Sequence, residues 1–231
     1  MIRHKLSFAL RLIDDFTGKK LDKTVCTFKV DGRLVSTLYK EEGFYLFFEP
    51  MDSPCRLQIE ARDYFPGVVL IDQKDIDPSY PVVEVRLYHK PGGQFPYRCS
   101  LCCGRIEPPK KGEPFMVYGI SGADSGYMLK SVKKVDQNTI LELSGYHKEK
   151  LTGRVFGLGS EKNLEVFVIL EKEGMNDYLV AGSLKRRHKK GDRLFRVYRT
   201  YADGEGNYVL PVAEGTEDQI TVTVMPVPSS D

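Results

Sequence analysis

Residues 200–224 read T-Y-A-D-G-E-G-N-Y-V-L-P-V-A-E-G-T-E-D-Q-I-T-V-T-V, a run that commits its part of the chain to β-structure. Asp203-Gly204 and Glu205-Gly206 tolerate positive φ, so the chain can reverse there. Tyr208, Val209 and Leu210 form the apolar centre of a strand, and Glu214-Gly215-Thr216 turns again. Ile220, Val222 and Val224 then alternate with Thr221 and Thr223, the period of two that marks a half-buried strand. The same device recurs near the start. Gly43-Phe44-Tyr45-Leu46 aligns with Gly206-Asn207-Tyr208-Val209, and at that offset Leu57, Ile59 and Ala61 fall on Ile220, Val222 and Val224. A tyrosine strand, a turn and an alternating strand occur twice, which reads as two related domains.

The C-terminal run resembles the carboxypeptidase regulatory-like (prealbumin-like) β-sandwich family. There T-x-x-D-G-x-G-x-Y-x-L precedes a short turn and an I-T-V-T-V-type strand. The resemblance implies a scaffold or binding module; the peptidase of the family name is a different domain, and none of its zinc ligands is matched here. A second resemblance rests on L-S-F-A-L-R-L-I-D-D-F-T-G-K-K-L, V-D-G-R-L and G-F-Y-L-F-F-E-P within the first 65 residues, together with the last 35. These look like small proteins from gene clusters for phage-tail-like contractile injection systems, and the resemblance implies a particle component.

Other segments continue the strand-and-turn pattern. Leu6, Phe8, Leu10 and Leu12 alternate with polar or small residues, and the turn 14–18 follows. Residues 25–30 form a strand, Asp31-Gly32 is a hairpin signal, and 34–39 returns as one strand. Strands are also expected at 43–48, 56–61, 68–71 and 82–87. Seven or so short strands with frequent turns are the signature of a sandwich. Residues 91–97, with Pro91, Gly92, Gly93 and Pro96, read as a linker. The expected fold is all-β, with two Ig-like/prealbumin-like β-sandwich domains in tandem. They span residues 1–90 and 98–231, joined by the linker 91–97. Residues 122–145 depart from the regulatory-domain pattern and read as an insertion or a small barrel of their own, with a hairpin turn at Asp136-Gln137-Asn138.

The chain of 231 residues carries 34 Lys plus Arg against 32 Asp plus Glu, so no global field favours nucleic acid or membrane. No apolar run suits a spanning helix, and residues 1–5 lead into a strand without a signal-peptide core. Five cysteines form no disulfide-framework pattern, which points to a reducing compartment. The expected location is the cytoplasm, in an assembled particle that is retained or released.

Two local signals carry chemistry. Cys99, Cys102 and Cys103 lie in C-S-L-C-C-G, a turn by which thiolates meet zinc. A second C-x-x-C is absent, so His89, Cys55, Cys26 or His147 would have to complete the site. The competing reading is a strand of reduced cysteines acting as small apolar residues, and no metal or other cofactor is expected. The second signal is the basic run of Lys185, Arg186, Arg187, His188, Lys189, Lys190 and Arg193. It reads as a solvated hairpin end, as a contact for an acidic partner face, or as a phosphate-backbone site. Without interleaved aromatics to stack bases, nucleic acid ranks last. Partner-binding residues would be Lys185, Arg186, Arg187, Lys189, Lys190 and Arg193.

Catalysis fails on inventory. His4, His89, His147 and His188 fall in an N-terminal lead, a linker, a turn and the basic tip, none placed beside a nucleophile. G-x-S-x-G, H-E-x-x-H and P-loop patterns are absent, and Asp14-Asp15 and Glu41-Glu42 read as solvated turn residues. The glycine-rich 153–159 lies between strands and lacks the following helix that a dinucleotide site needs. The sequence therefore points to a non-enzymatic structural or adaptor component of a protein assembly, contacting other subunits or copies of itself. The alternatives are a carbohydrate- or surface-binding module and a metal-stabilised protein built on the cysteine cluster.

Overall fold

A computed structural model of the chain describes residues 6–21, 26–48, 53–95, 98–135, 138–145, 151–159, 164–181 and 184–224. Among these the protein is all-β, with strands throughout, two short 3-10 turns (Gln73–Asp75 and Glu217–Gln219) and no α-helix. The chain divides into two compact units: Met1–Asp15 with Lys19–Gln94, and Phe16–Gly18 with Phe95–Asp231.

The first unit holds β1 (Phe8–Asp14), β2 (Cys26–Val30), β3 (Arg33–Val35), β4 (Leu38–Lys40), β5 (Phe44–Phe47), β6 (Cys55–Ala61), β7 (Gly67–Ile71) and β8 (Val82–Leu87). They form two four-stranded sheets, ordered β4-β5-β1-β8 and β3-β2-β6-β7. One core cluster draws Phe8, Leu10 and Phe47 from the first sheet and Phe28, Leu57 and Ile59 from the second, which makes the unit a sandwich. Phe47 stacks on Phe8 at 4.5 Å between centroids and meets Phe28 edge-on at 5.5 Å. Asp31 and Gly32 have φ of 48° and 81°, the left-handed pair that a two-residue hairpin between β2 and β3 requires. The return strand expected over 34–39 is instead two short strands in different sheets, because the chain crosses the sandwich between Val35 and Leu38.

The second unit holds β9 (Ser100–Arg105), β10 (Phe115–Val135), β11 (Asn138–Ser144), β12 (Val155–Leu158), β13 (Glu165–Lys172), β14 (Asp177–Val180), β15 (Arg193–Ala202), β16 (Asn207–Val212) and β17 (Ile220–Thr223). Pairing runs β10-β11-β14-β13-β12-β15, and β15 pairs back onto β10, closing a six-stranded antiparallel ring. Each strand of the ring sends a side chain into one cluster: Leu129, Leu141, Ile169, Phe156, Val180 and Leu194, none more than 1 % exposed. Full burial of each such side chain contributes roughly 1.5–3 kcal/mol. The far halves of β10 and β15 leave the ring and carry β17 on one side and β16 with β9 on the other.

Residues 122–145, expected as an insertion or a barrel of their own, do not make a separate barrel. Residues 122–135 are the inner half of β10, residues 138–144 are β11, and the ring needs four further strands to close. β10 enters the ring through register shifts between Ile120 and Asp124 and between Asp124 and Met128. Gly126, at φ 77°, lies in the second of these, where a side chain would be strained. Asp136 and Gln137 of the expected hairpin turn lie outside the described residues, as do His4 and His147.

The opening motif folds as its residues dictate. The Asp203 carboxylate accepts the amides of Glu205 and Asn207, both at 2.9 Å, and the side-chain amide of Asn207. Gly206 turns at φ 90°, where a Cβ would collide with the carbonyl oxygen of Ile106. The two tyrosine-strand copies differ in surroundings. β5 and β6 lie in opposite sheets of the first unit, whereas β16 and β17 belong to one sheet of the second.

Candidate functional site

The basic run forms the loop that precedes β15, with Lys185, Arg186, Arg187, Lys189, Lys190 and Arg193 all exposed. Its backbone is anchored from two directions. Glu165, the first residue of β13, accepts the amides of Lys185 at 2.6 Å and Arg186 at 3.0 Å. The amide of Gly191 donates to the carbonyl of Leu129 at 2.8 Å, and the amide of Leu129 donates to the carbonyl of Asp192 at 2.8 Å. The loop thus continues the ladder of β10.

His188 is the loop's inner keystone. Its side chain is 2 % exposed, with Nε2 2.9 Å from Glu165 Oε2 and Nδ1 3.4 Å from Asp192 Oδ2. Both ring nitrogens thus face carboxylate oxygens, which only accept hydrogen bonds. Asp192 also accepts the Lys189 amide at 3.0 Å. Burial opposes ionisation of Glu165. The amide of Lys185, the His188 ring and the amide of Arg186 outweigh it, and the carboxyl sits below its ordinary range.

The acidic residues of this region are therefore turned inward and occupied by the loop itself. The cations are turned outward. Among the described residues, the side chains of Lys185, Arg186, Arg187, Lys189 and Lys190 enter no ion pair. Arg186, Arg187, Lys189 and Arg193, with His188 and Asp192, line an open cleft of about 1030 Å³, and among the described residues no Phe, Tyr or aliphatic side chain lines it. The arrangement presents fixed positive charge to an anionic surface.

All six predicted contact residues are brought together. Three positions that hold them in place, Glu165, Leu129 and the inward-facing His188, were not legible as such. Asp192, four residues after His188, was the only local signal. A smaller pocket of about 230 Å³ between Ile120, Leu164, Phe195 and Thr221 falls below the usual ligand range of roughly 300–1,000 Å³.

The cysteines take a different form from a knuckle. Cys102 and Cys103 lie on β9, the former half-buried and the latter exposed, on opposite faces of the strand. The Cys102 thiol points to the carbonyl of Glu217 at 3.8 Å. Burial, then the charges of Glu217, Cys103 and Asp218, push its pKa up, away from the thiolate a metal needs. Among the described residues no three His, Cys, Asp or Glu side chains converge as metal ligands.

His89, expected in the linker, is 3 % exposed inside the first unit. Its Nε2 lies 2.8 Å from Asp14 Oδ2, which also accepts the Tyr64 hydroxyl at 3.2 Å, and its ring lies 4.3 Å from that of Tyr64. Burial, then the Asp14 charge and hydrogen bond, raise the Tyr64 pKa well above the ordinary phenol. Asp14 and Asp15, read as solvated turn residues, are 2 % and 4 % exposed; Asp15 pairs with Arg86 at 3.1 Å.

Comparison of the chain with protein families, with characterised proteins and with solved structures finds no match.

Proposed function

We propose that the chain is a non-enzymatic adaptor or structural component of a larger protein assembly, docking an acidic partner surface through the basic loop. The observation that carries this reading is the loop's construction. A merely solvated hairpin end has no need for an inward histidine between two carboxylates and two backbone bonds to β10. Ordering costs about 1–2 kcal/mol of backbone entropy per residue, and a pre-ordered loop has met that cost before its partner arrives. Among the described residues histidine chemistry favours no competing reading: both ring nitrogens of His188 face carboxylates, and His89 is enclosed. The resemblance of the first 65 and last 35 residues suggests the kind of assembly, a contractile phage-tail-like particle.

The test is incorporation. In its native cell the wild-type chain is expected to co-sediment with a high-mass particle, and a chain carrying Arg186→Glu with Lys189→Glu is expected to remain free. The variant keeps its fold, because exposed charges contribute little to stability. A wild-type chain that sediments alone, or a variant that incorporates as well as wild type, overturns the reading. Tight nucleic-acid binding with a steep log–log salt dependence would replace it with a phosphate-binding one.

A further inference from the structure

The second unit also carries a negative pole. Glu214, Glu217 and Asp218 are exposed in the turn between β16 and β17, with no cation from 213 to 219. Among the described residues none of the three enters an ion pair. This turn is built as well. The Thr216 hydroxyl donates to the carbonyl of Ala213 at 2.8 Å, the Gln219 amide to that of Thr216 at 3.0 Å, and the Gly215 amide to Ser100 Oγ at 2.9 Å. Part of the turn's charge is used locally, since the Ser100 side chain and its own amide hold the Glu217 carboxyl below its ordinary range, as Asp72 is used by Ser53 and the Lys74 amide, Asp77 by Ser79, and Asp203 by Asn207.

The two poles cannot neutralise one another within one chain. Ile220, directly after the acidic turn, pairs with Ser121 of β10, whereas the basic loop is bonded to Leu129 of the same strand. Eight residues of strand at about 3.3 Å each, shortened by the bulges, separate the anchors by on the order of 20 Å. That exceeds both side-chain reach and the screening length of about 8 Å at physiological salt. The chain's net charge is only +2, so two copies attract through their poles without global repulsion.

We propose that the basic loop of one copy receives the acidic turn of a second copy, Arg186, Arg187, Lys189 and Arg193 meeting Glu214, Glu217 and Asp218. The proposal rests on the reading of the loop as a protein-docking surface and names its partner. Three of the four cations are arginines, whose planar forks donate to carboxylates in two-point contacts. Both surfaces belong to the same unit, so each copy offers one donor and one acceptor.

Sedimentation velocity on the full chain tests this. The wild type is expected to self-associate at low ionic strength and to dissociate as salt rises, with no variant required. Arg186→Glu with Lys189→Glu, and separately Glu217→Lys with Asp218→Lys, are each expected to weaken association about tenfold or more, since attraction becomes repulsion at two positions. Mixing the two variants restores the native contact between the intact turn of one and the intact loop of the other, and heterodimers should form that neither variant forms alone. A wild type that stays monomeric at low salt, or association indifferent to reversal of the acidic turn, overturns the proposal. If only the basic reversal blocks particle incorporation while the acidic reversal has no effect, the docking function stands and the second copy is not the partner.

Discussion

Replacing Glu165 by alanine probes whether the basic loop is built or merely resting. Oε1 accepts the Lys185 amide at 2.6 Å, and Oε2 accepts the Arg186 amide at 3.0 Å and faces His188 Nε2 at 2.9 Å. Hydrogen bonds to a charged group contribute about 1.5–3 kcal/mol each when enclosed. Lys185 and Arg186 are exposed, so water takes over much of the bonding to their amides. His188 cannot be solvated in place, its side chain being 2 % exposed. The loss is therefore dominated by the histidine and comes to about 2–3 kcal/mol for opening the loop. Amide hydrogen exchange reads this directly, because the bonds of Gly191 to Leu129 and of Leu129 to Asp192 are untouched by the substitution. Their exchange should quicken by roughly 30- to 150-fold while the first unit is unchanged. Glu165→Gln should fall between, since one amide oxygen can replace Oε2 but the NH2 group then faces the Lys185 amide. A change at Gly191 of less than about threefold in the alanine variant would refute the account of a carboxylate-anchored loop.

Other expectations follow from the same geometry. The depressed Glu165 pKa makes its contribution fully present above the ordinary value of 4.5 and lost as pH falls through the folded value, so Gly191 exchange, corrected for intrinsic rates, should accelerate on acidification and the alanine variant should lack this dependence. Leu141→Ala, at a fully buried position in the ring, should cost about 2–5 kcal/mol, seen as a lower urea midpoint for the second unit's transition. Thiol labelling at neutral pH should modify Cys103 first, Cys102 more slowly because its pKa is raised, and Cys55, 2 % exposed, only on unfolding. Elemental analysis that finds near one zinc per chain, lost with Cys99→Ser and Cys102→Ser, would contradict the assignment of β9 as a plain strand.

What could be read from the sequence was what neighbouring residues decide among themselves. The Asp31-Gly32 hairpin, the Asp203–Asn207 turn and the alternation of residues 220–223 depend on local backbone preference and a period of two, and they appear as expected. Strands at 114–120 and 127–135 could be read, but their continuity as β10 was hidden because Gly119, Gly122 and Gly126, with Ser121 and Ser125, look like loop residues. They are tolerated because the strand bends there and has partners on both edges. Asp14 and His89 look solvated in sequence because each is polar and next to turn residues. Their partnership spans 75 positions, and only the tertiary fold brings the two into one enclosed pair. Likewise the charge run around His188 hides the single inward side chain, since Glu165 is 23 positions away. The cationic surface was legible and its internal scaffold was not.

β10 has a consequence for the order of events as the chain emerges during synthesis. One edge of its inner half finds β11 almost at once, with Val135 opposite Asn138. The other edge must wait, since Asp124 pairs with Phe195 and Met128 with Arg193. Until β15 exists, a long strand with an unsatisfied backbone edge is held open, the state in which chains capture one another. Closure then depends on contacts distant in sequence, which slows folding compared with local hairpins. Refolding of the second unit is therefore expected to be the slow, concentration-sensitive step, and a truncation before residue 193 should accumulate as aggregate instead of as a smaller folded protein.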